Sequence, residues 1–279
     1  VTKRPKEAKV NTSGRLLLGD HATKIFLRAM GIKYNPLHDL DNFLKACEQA
    51  NPRYKGGKDL VRFQLEADEA TWPEEIVDAT MNLAGHIGMC RGETPLTGAH
   101  DIIIALGGAR RSPLHRACYA AQAIIDNRAS TNLIAVAGSN RQLAESEKTV
   151  VQDFAPNAET EYDLCVGAMK KLQSRYPQLT VVAICKDDPK SGNDGVIDET
   201  MLQFGSRNGM SIAIVTTRIY AVGLHLDMAR AAKRHSWGNF LAAGHSSDPE
   251  MVFNRTISVY LSECLTTVRK AAIAASEGC

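Results

Sequence analysis

Asp101-Ile-Ile-Ile-Ala-Leu-Gly-Gly-Ala-Arg-Arg-Ser-Pro113 decides how this chain is read. Five apolar residues, too few for a buried helix, end abruptly in two glycines. Such a continuous run suits a strand covered on both faces, as in a parallel sheet. Ser112-Pro113 then opens a helical pattern that runs from Leu114 to Arg128. The same alternation recurs downstream. Apolar runs at Asn132–Val136, Thr180–Ile184, Ser211–Val215 and Phe240–Ala243 are followed by helical periodicity. The helical stretches are Thr160–Leu172, Ile197–Phe204, Val222–Arg234 and a last one from near Asp248-Pro249 through Leu265. This is the pattern of a doubly wound α/β fold with a mainly parallel sheet of about five strands. It is expected to occupy residues 99–279.

Residues 1–98 read instead as a helical N-terminal region. Ser13 is placed to cap a helix carrying Leu16, Leu17, Ile25, Phe26 and Met30, with Gly31 as its stop. Leu40, Phe43, Leu44 and Cys47 mark a second helix ending near Asn51-Pro52. Thr71-Trp-Pro-Glu74 has capping-box spacing before a third, which bears Ile76, Val77, Met81, Leu83 and Ile87. Val61–Leu65 alternates like a short strand, and Gly92–Gly98 has the chemistry of a hinge.

Composition narrows the function classes. With 33 Lys+Arg against 31 Asp+Glu the net charge is +2, so no broad basic face exists to coat a polyanion. No apolar run approaches the roughly 20 residues that span a bilayer. The opening Val-Thr-Lys-Arg-Pro-Lys-Glu lacks an apolar leader region. Seven cysteines form no Cys-x-x-Cys pair, which argues for reduced thiols rather than a disulfide scaffold or zinc ribbon. A cytoplasmic protein with no membrane association is expected, with self-association left open.

Ligands of open parallel sheets bind beyond the carboxyl ends of the strands. The turns there carry Gly107, Gly108, Arg110 and Arg111 after the first strand, and Gly138, Ser139 and Arg141 after the second. Thr216, Thr217, Arg218 and Tyr220 follow the fourth. Glycine lets backbone approach a ligand closely, and a following helix N-terminus offers N–H groups to an anion. Arginine adds a forked donor suited to phosphate or carboxylate. The competing reading is that these arginines merely solvate loops. Tyr220 could stack on a ring-bearing ligand. Glu159 and Glu161 precede a helix and could orient a ribose hydroxyl or activate water. Glu147 and Asp163 read more simply as first-turn acids complementing a helix dipole, with Thr160 and Asp163 at capping-box spacing.

Other constellations are thinner. His225 could face the crevice as a catalytic group, against core or surface placement, and His245 stands similarly. His86 and Cys90 have i, i+4 spacing that could serve a metal but no further ligands, so buried packing is the simpler reading. Asp187, Asp188 and Asp194 could coordinate a hard cation but read more simply as a solvated loop. No metal site or cofactor is assigned. The dinucleotide fingerprint Gly-x-Gly-x-x-Gly, the phosphate loop and the Gly-x-Ser-x-Gly elbow are all missing.

Ile104-Ala-Leu-Gly-Gly108, Val136-Ala-Gly138, Glu145-Ser-Glu147, Glu159-Thr-Glu161 and Ile214-Val-Thr-Thr217 occur in an order that resembles the SanA/YdcF-like family. The resemblance covers roughly residues 101–245. It implies an α/β domain of the soluble branch and a nucleotide-like ligand such as S-adenosylmethionine. The family's His and Arg after the Val-Thr-Ser strand have Tyr220 and Gly223 in their places here, with His225 and Arg230 displaced.

These features together lead to an expected cytosolic enzyme that binds an anionic, nucleotide-like small molecule and acts by hydrolysis or group transfer. The alternative is a non-catalytic metabolite-binding or regulatory module. Binding of RNA or tRNA through Lys3, Arg4, Lys6, Lys9 and the Tyr54–Lys58 turn is a third reading, but clustered lysines with one aromatic read more simply as a solvated tail.

Overall fold

The computed structural model describes residues 13–33, 38–57, 71–90, 94–245 and 257–279. The expected Val61–Leu65 strand, the basic N-terminal residues, Lys58 and part of the Gly92–Gly98 hinge lie outside these residues. Contacts divide the chain into two compact units. Unit 1 takes Val1–Thr94, Arg218–Arg230 and Pro249–Cys279, and unit 2 takes Pro95–Thr217 and Ala231–Asp248. The sequence division at about residue 98 had run the second part to the C-terminus. The last helix instead clusters with the N-terminal helices, because it supplies the surface on which they bury their apolar faces.

Unit 2 is the α/β part. Its main sheet has five strands: β2 (Ile102–Leu106), β4 (Ile134–Ser139), β5 (Val181–Lys186), β6 (Ser211–Thr217) and β7 (Asn239–His245). They lie in the order β5-β4-β2-β6-β7, and every pairing is parallel. All five residues of β2 are buried, as expected for a central strand covered on both faces. A two-residue parallel pair, β1 (Gly98–Ala99) with β3 (Ala129–Ser130), was not legible in the sequence. It is too short to produce any periodicity.

Helices α5 (Ser112–Ile125), α6 (Glu145–Lys148), α7 (Glu161–Arg175) and α8 (Asn193–Phe204) belong to this unit. Helix α9 (Ala221–His235) contributes residues to both units. Small residues on α5, including Ala117, Ala120 and Ala121, are fully buried with Ile103, Val136 and Val215 of the sheet. On α7, Leu164, Ala168 and Leu172 join the same core.

The strands outrun the apolar stretches that announce them. Gly138 and Ser139 pair with Cys185 and Lys186, while Thr216 and Thr217 pair with Gly244 and His245. Residues expected in turns therefore lie inside strands. Backbone pairing continues as long as a neighbour offers N–H and C=O groups, whatever the side chains.

Unit 1 is helical. Helices α1 (Gly14–Gly19), α2 (His21–Ala29), α3 (Leu40–Ala50) and α4 (Glu74–His86) share a core with the C-terminal α10 (Ile257–Ser276). Phe26, Leu27 and Leu83 are fully buried there. The single helix expected between Ser13 and Gly31 is two, because Asp20 interrupts it. Asp20 ends α1 in an extended conformation, and its carboxylate accepts the Ala22 N–H at 2.8 Å to cap α2. Thr71 caps nothing; Pro73 occupies the N-cap of α4 without a side-chain hydrogen bond. The expected start of the last helix near Asp248 falls outside the described residues. No helix among the described residues is long and apolar enough to cross a membrane.

Gly14 sits where α1 meets α10. A Cβ there would collide with the Ala271 carbonyl and stand 2.9 Å from the Ala275 nitrogen, whereas one on Gly19 would meet nothing. Gly14→Ala is expected to cost about 1–3 kcal/mol in chemical denaturation through overpacking. Gly19→Ala should be neutral or stabilise by up to about 1 kcal/mol through helix propensity.

Candidate functional site

The carboxyl ends of β2 and β4 hold the densest group of polar side chains that the sequence had singled out. Gly107 follows β2, and Gly138 lies in β4. A Cβ on Gly107 would run into a carboxylate oxygen of Glu161, and one on Gly138 would stand 3.1 Å from the same atom. The two glycines thus make room for a carboxylate directly over the backbone of adjacent strands. Glu161 reaches this place because it is the first residue of α7. An antiparallel bridge between Gln142 and Thr160, with the Glu161 N–H donating to the Arg141 carbonyl at 2.8 Å, fixes that helix start.

The carboxylate is 13% exposed, closed in but reachable. The Ser139 hydroxyl donates to it at 3.3 Å, as does Arg141 Nε at 3.3 Å. The rest of the Arg141 guanidinium forms a two-pronged pair with Glu147, at 3.0 and 2.9 Å. Glu147 is fully buried and also accepts the Ala144 N–H at 2.9 Å. It is the expected first-turn acid of α6, and it is in addition the buried counter-charge that orients Arg141. The Arg141 side chain is half-buried, and that partial desolvation alone would ease its proton off. Hydrogen bonds and charge from Glu147 and Glu161 override that and hold its pKa above the ordinary arginine value.

Behind Gly107 lies Arg116, which the sequence reading passed over. It is 5% exposed, on α5. It donates to the Leu106 carbonyl at 3.1 Å, to the Gly107 carbonyl, and to the Thr217 hydroxyl at 3.2 Å. An i, i+9 relation between a strand-ending glycine and an arginine one turn into the next helix is the signal that could have found it. Gly108 (φ 142°) and Arg110 (φ 53°) bend the turn between them through left-handed conformations. The first turn of α5 carries no acidic residue and no side-chain cap.

Other expected site residues lie elsewhere. Arg111 forms a two-pronged pair with Asp153, at 2.7 and 2.6 Å, and donates to the Val150 carbonyl. The Arg111 hydrogen bonds hold the Asp153 carboxyl below its usual range. Glu159 is 66% exposed and pairs with Lys148, itself bonded to Glu145. Thr216 and Thr217 are buried at the end of β6. His245 is also buried, its ring stacked on Tyr119 with centroids 5.5 Å apart.

Arg218, Tyr220 and His225 belong to unit 1. Arg218 is buried there, donating to the Gly88 carbonyl at 2.6 Å and to the Thr94 hydroxyl. Tyr220 packs against the unit 1 core. Burial pushes the His225 imidazole down to about 4, so it is neutral near pH 7. His86 pairs with Asp20 at 3.0 Å rather than with Cys90.

Removing Arg141 strands a buried carboxylate. Arg141→Met is expected to cost about 3–5 kcal/mol by urea denaturation, and Arg141→Met with Glu147→Gln less than the sum of the two single changes. A second expectation concerns Asp163. Burial would raise its pKa, but the Glu159 and Thr160 amides and the Thr160 hydroxyl donate to it and hold it below the usual value. A carboxyl depressed in this way stabilises the fold above its unfolded-state pKa and loses that contribution as pH falls through the folded one. Asp163→Ala should therefore cost about 1 kcal/mol near neutrality, with the gap to wild type closing as pH drops below about 4.

No family model matches the chain, and no solved structure does. The curated proteins it resembles include the uncharacterized protein Rv3785 of Mycobacterium tuberculosis and the uncharacterized protein Mb3814 of Mycobacterium bovis. Each is 30% identical over 117 residues, covering 39% of this chain and 32% of the relative. The chain thus spans about a third of the length of these relatives.

Proposed function

We propose that unit 2 is an enzyme domain that binds an anionic, nucleotide-like small molecule at the carboxyl ends of β2 and β4 and acts on it by hydrolysis or group transfer. One observation carries this reading: the Glu161 carboxylate lies over the Gly107 and Gly138 backbones, partly open, between Ser139 and Arg141. Glu161 orients a ligand hydroxyl or activates a water there. A carboxylate held by one hydroxyl and one guanidinium nitrogen keeps acceptor capacity for a further donor. The turn after β2, with Gly108 and Arg110 in left-handed conformations before an uncapped helix, supports an anion at the other end of the ligand.

The SanA/YdcF-like resemblance belongs to the same proposal. It rests on the order of Ile104–Gly108, Val136–Gly138, Glu145–Glu147, Glu159–Glu161 and Ile214–Thr217 along the chain.

A second reading, a metabolite-binding module without turnover, is favoured by one fact. The guanidinium groups of Arg111, Arg141 and Arg218 are engaged by the protein's own acceptors. Binding and turnover therefore have to be measured separately. Thermal shift and calorimetry with S-adenosylmethionine, ADP and phosphosugars should give a saturable response with at least one of them. Glu161→Gln should then preserve binding to within a few-fold while lowering turnover by about 10²-fold or more. Binding with no product from wild type would select the non-catalytic reading, and no response to any probe would sink both.

A further inference from the structure

The pairing of β2 with β6 ends at Ala105–Val215, although β6 itself continues to Thr217. Strand order reverses at β2: β4 and β5 lie on one side of it, β6 and β7 on the other. Beyond the last pair the two strands share no further register, and such a reversal is where ligands of open α/β sheets commonly enter. Here Arg116 spans the two strand ends. One guanidinium nitrogen donates to the Leu106 and Gly107 carbonyls on the β2 side, and the other to the Thr217 hydroxyl on the β6 side. At 5% exposure the side chain fills this space rather than lining it.

We propose that Arg116 is a positioning residue for the strand-end site: it closes the crevice between β2 and β6, confines the ligand to the β2–β4 side, and fixes the Gly107–Gly108 turn opposite Glu161. The inference rests on the reading of that site as a ligand-binding one. The rigid planar fork is essential to it, because donors must reach acceptors on two strands at once. A lysine keeps the charge and loses the span. Gly108 adds a steric link, since a Cβ there would stand 3.2 Å from an Arg116 nitrogen.

The test uses Arg116→Lys and Arg116→Met in the full chain, with two independent measurements. Hydrogen exchange followed by mass spectrometry is read over residues 106–113 and, as an internal control, over β4 and β5. Calorimetry is run with S-adenosylmethionine and ADP as probes. The expected result is faster exchange confined to residues 106–113 in Arg116→Lys, with affinity for the responding probe lowered by about tenfold or more. Thr217→Val, which removes the β6 anchor alone, should reproduce part of both effects and add little to Arg116→Lys.

Unchanged exchange over residues 106–113, or faster exchange throughout the sheet, overturns the positioning role. So does local loosening with unaltered probe affinity. If wild type binds neither probe, the ligand-binding reading of the site fails while the exchange measurement still decides whether Arg116 sets the turn. Should Arg116→Met fail to fold, Arg116→Lys and Thr217→Val carry the test.

Discussion

Strand β2 is paired along both edges and buried on both faces, and that constraint organises unit 2. A strand in this position cannot expose a polar side chain or leave a backbone group unpaired without a cost of several kcal/mol. Apolar residues and helix cover on both sides follow, and parallel pairing sends every connection across the sheet. All the strand-to-helix turns consequently collect at one end. Polar side chains gather there, which is why Glu161, Ser139, Arg141 and Arg116 all lie at the strand ends around Gly107 and Gly138.

The polar groups in this place are not arranged as a surface cluster would be. Glu147 has no exposure at all, and its charge is met by two donors from Arg141 and one backbone N–H. A buried ion pair of this kind adds little net stability but is costly to break, so it specifies geometry more than it strengthens the fold. Its effect is to present one edge of the Arg141 guanidinium to Glu161 in a fixed orientation. The geometry around Glu161 thus depends on a carboxylate, Glu147, that solvent does not reach.

Local patterning made the α/β architecture readable, because apolar runs of strand length, their glycine endings and the helical repeats between them are short-range signals. The capping of α7 by Thr160 and Asp163 was readable for the same reason. Arginine partnership was not. Arg111 finds Asp153 across 42 positions, and Arg218 finds Gly88 across 130. Only the folded chain brings these acceptors close, so arginines in a turn look equally available whether or not the protein consumes them. Asp20 is a different failure. Its neighbours carry continuous helical periodicity, and the break arises from a side-chain oxygen competing for a single backbone N–H.

The interleaved make-up of unit 1 bears on how the chain reaches its fold. Helix α10, with twelve buried residues, follows all of the strands in the chain, yet α1, α3 and α4, which precede them, need its surface for their own apolar faces. During synthesis those helices emerge before α10 and must wait for it, while the strands and helices of unit 2 pair with near neighbours as they appear. Loop closure between α1 and α10 spans every strand of the main sheet, which makes unit 1 the slower unit to form. Until α10 arrives, the nascent helices that precede the sheet carry exposed Phe26, Leu27 and Leu83. They are the part of the molecule with most to gain from a chaperone.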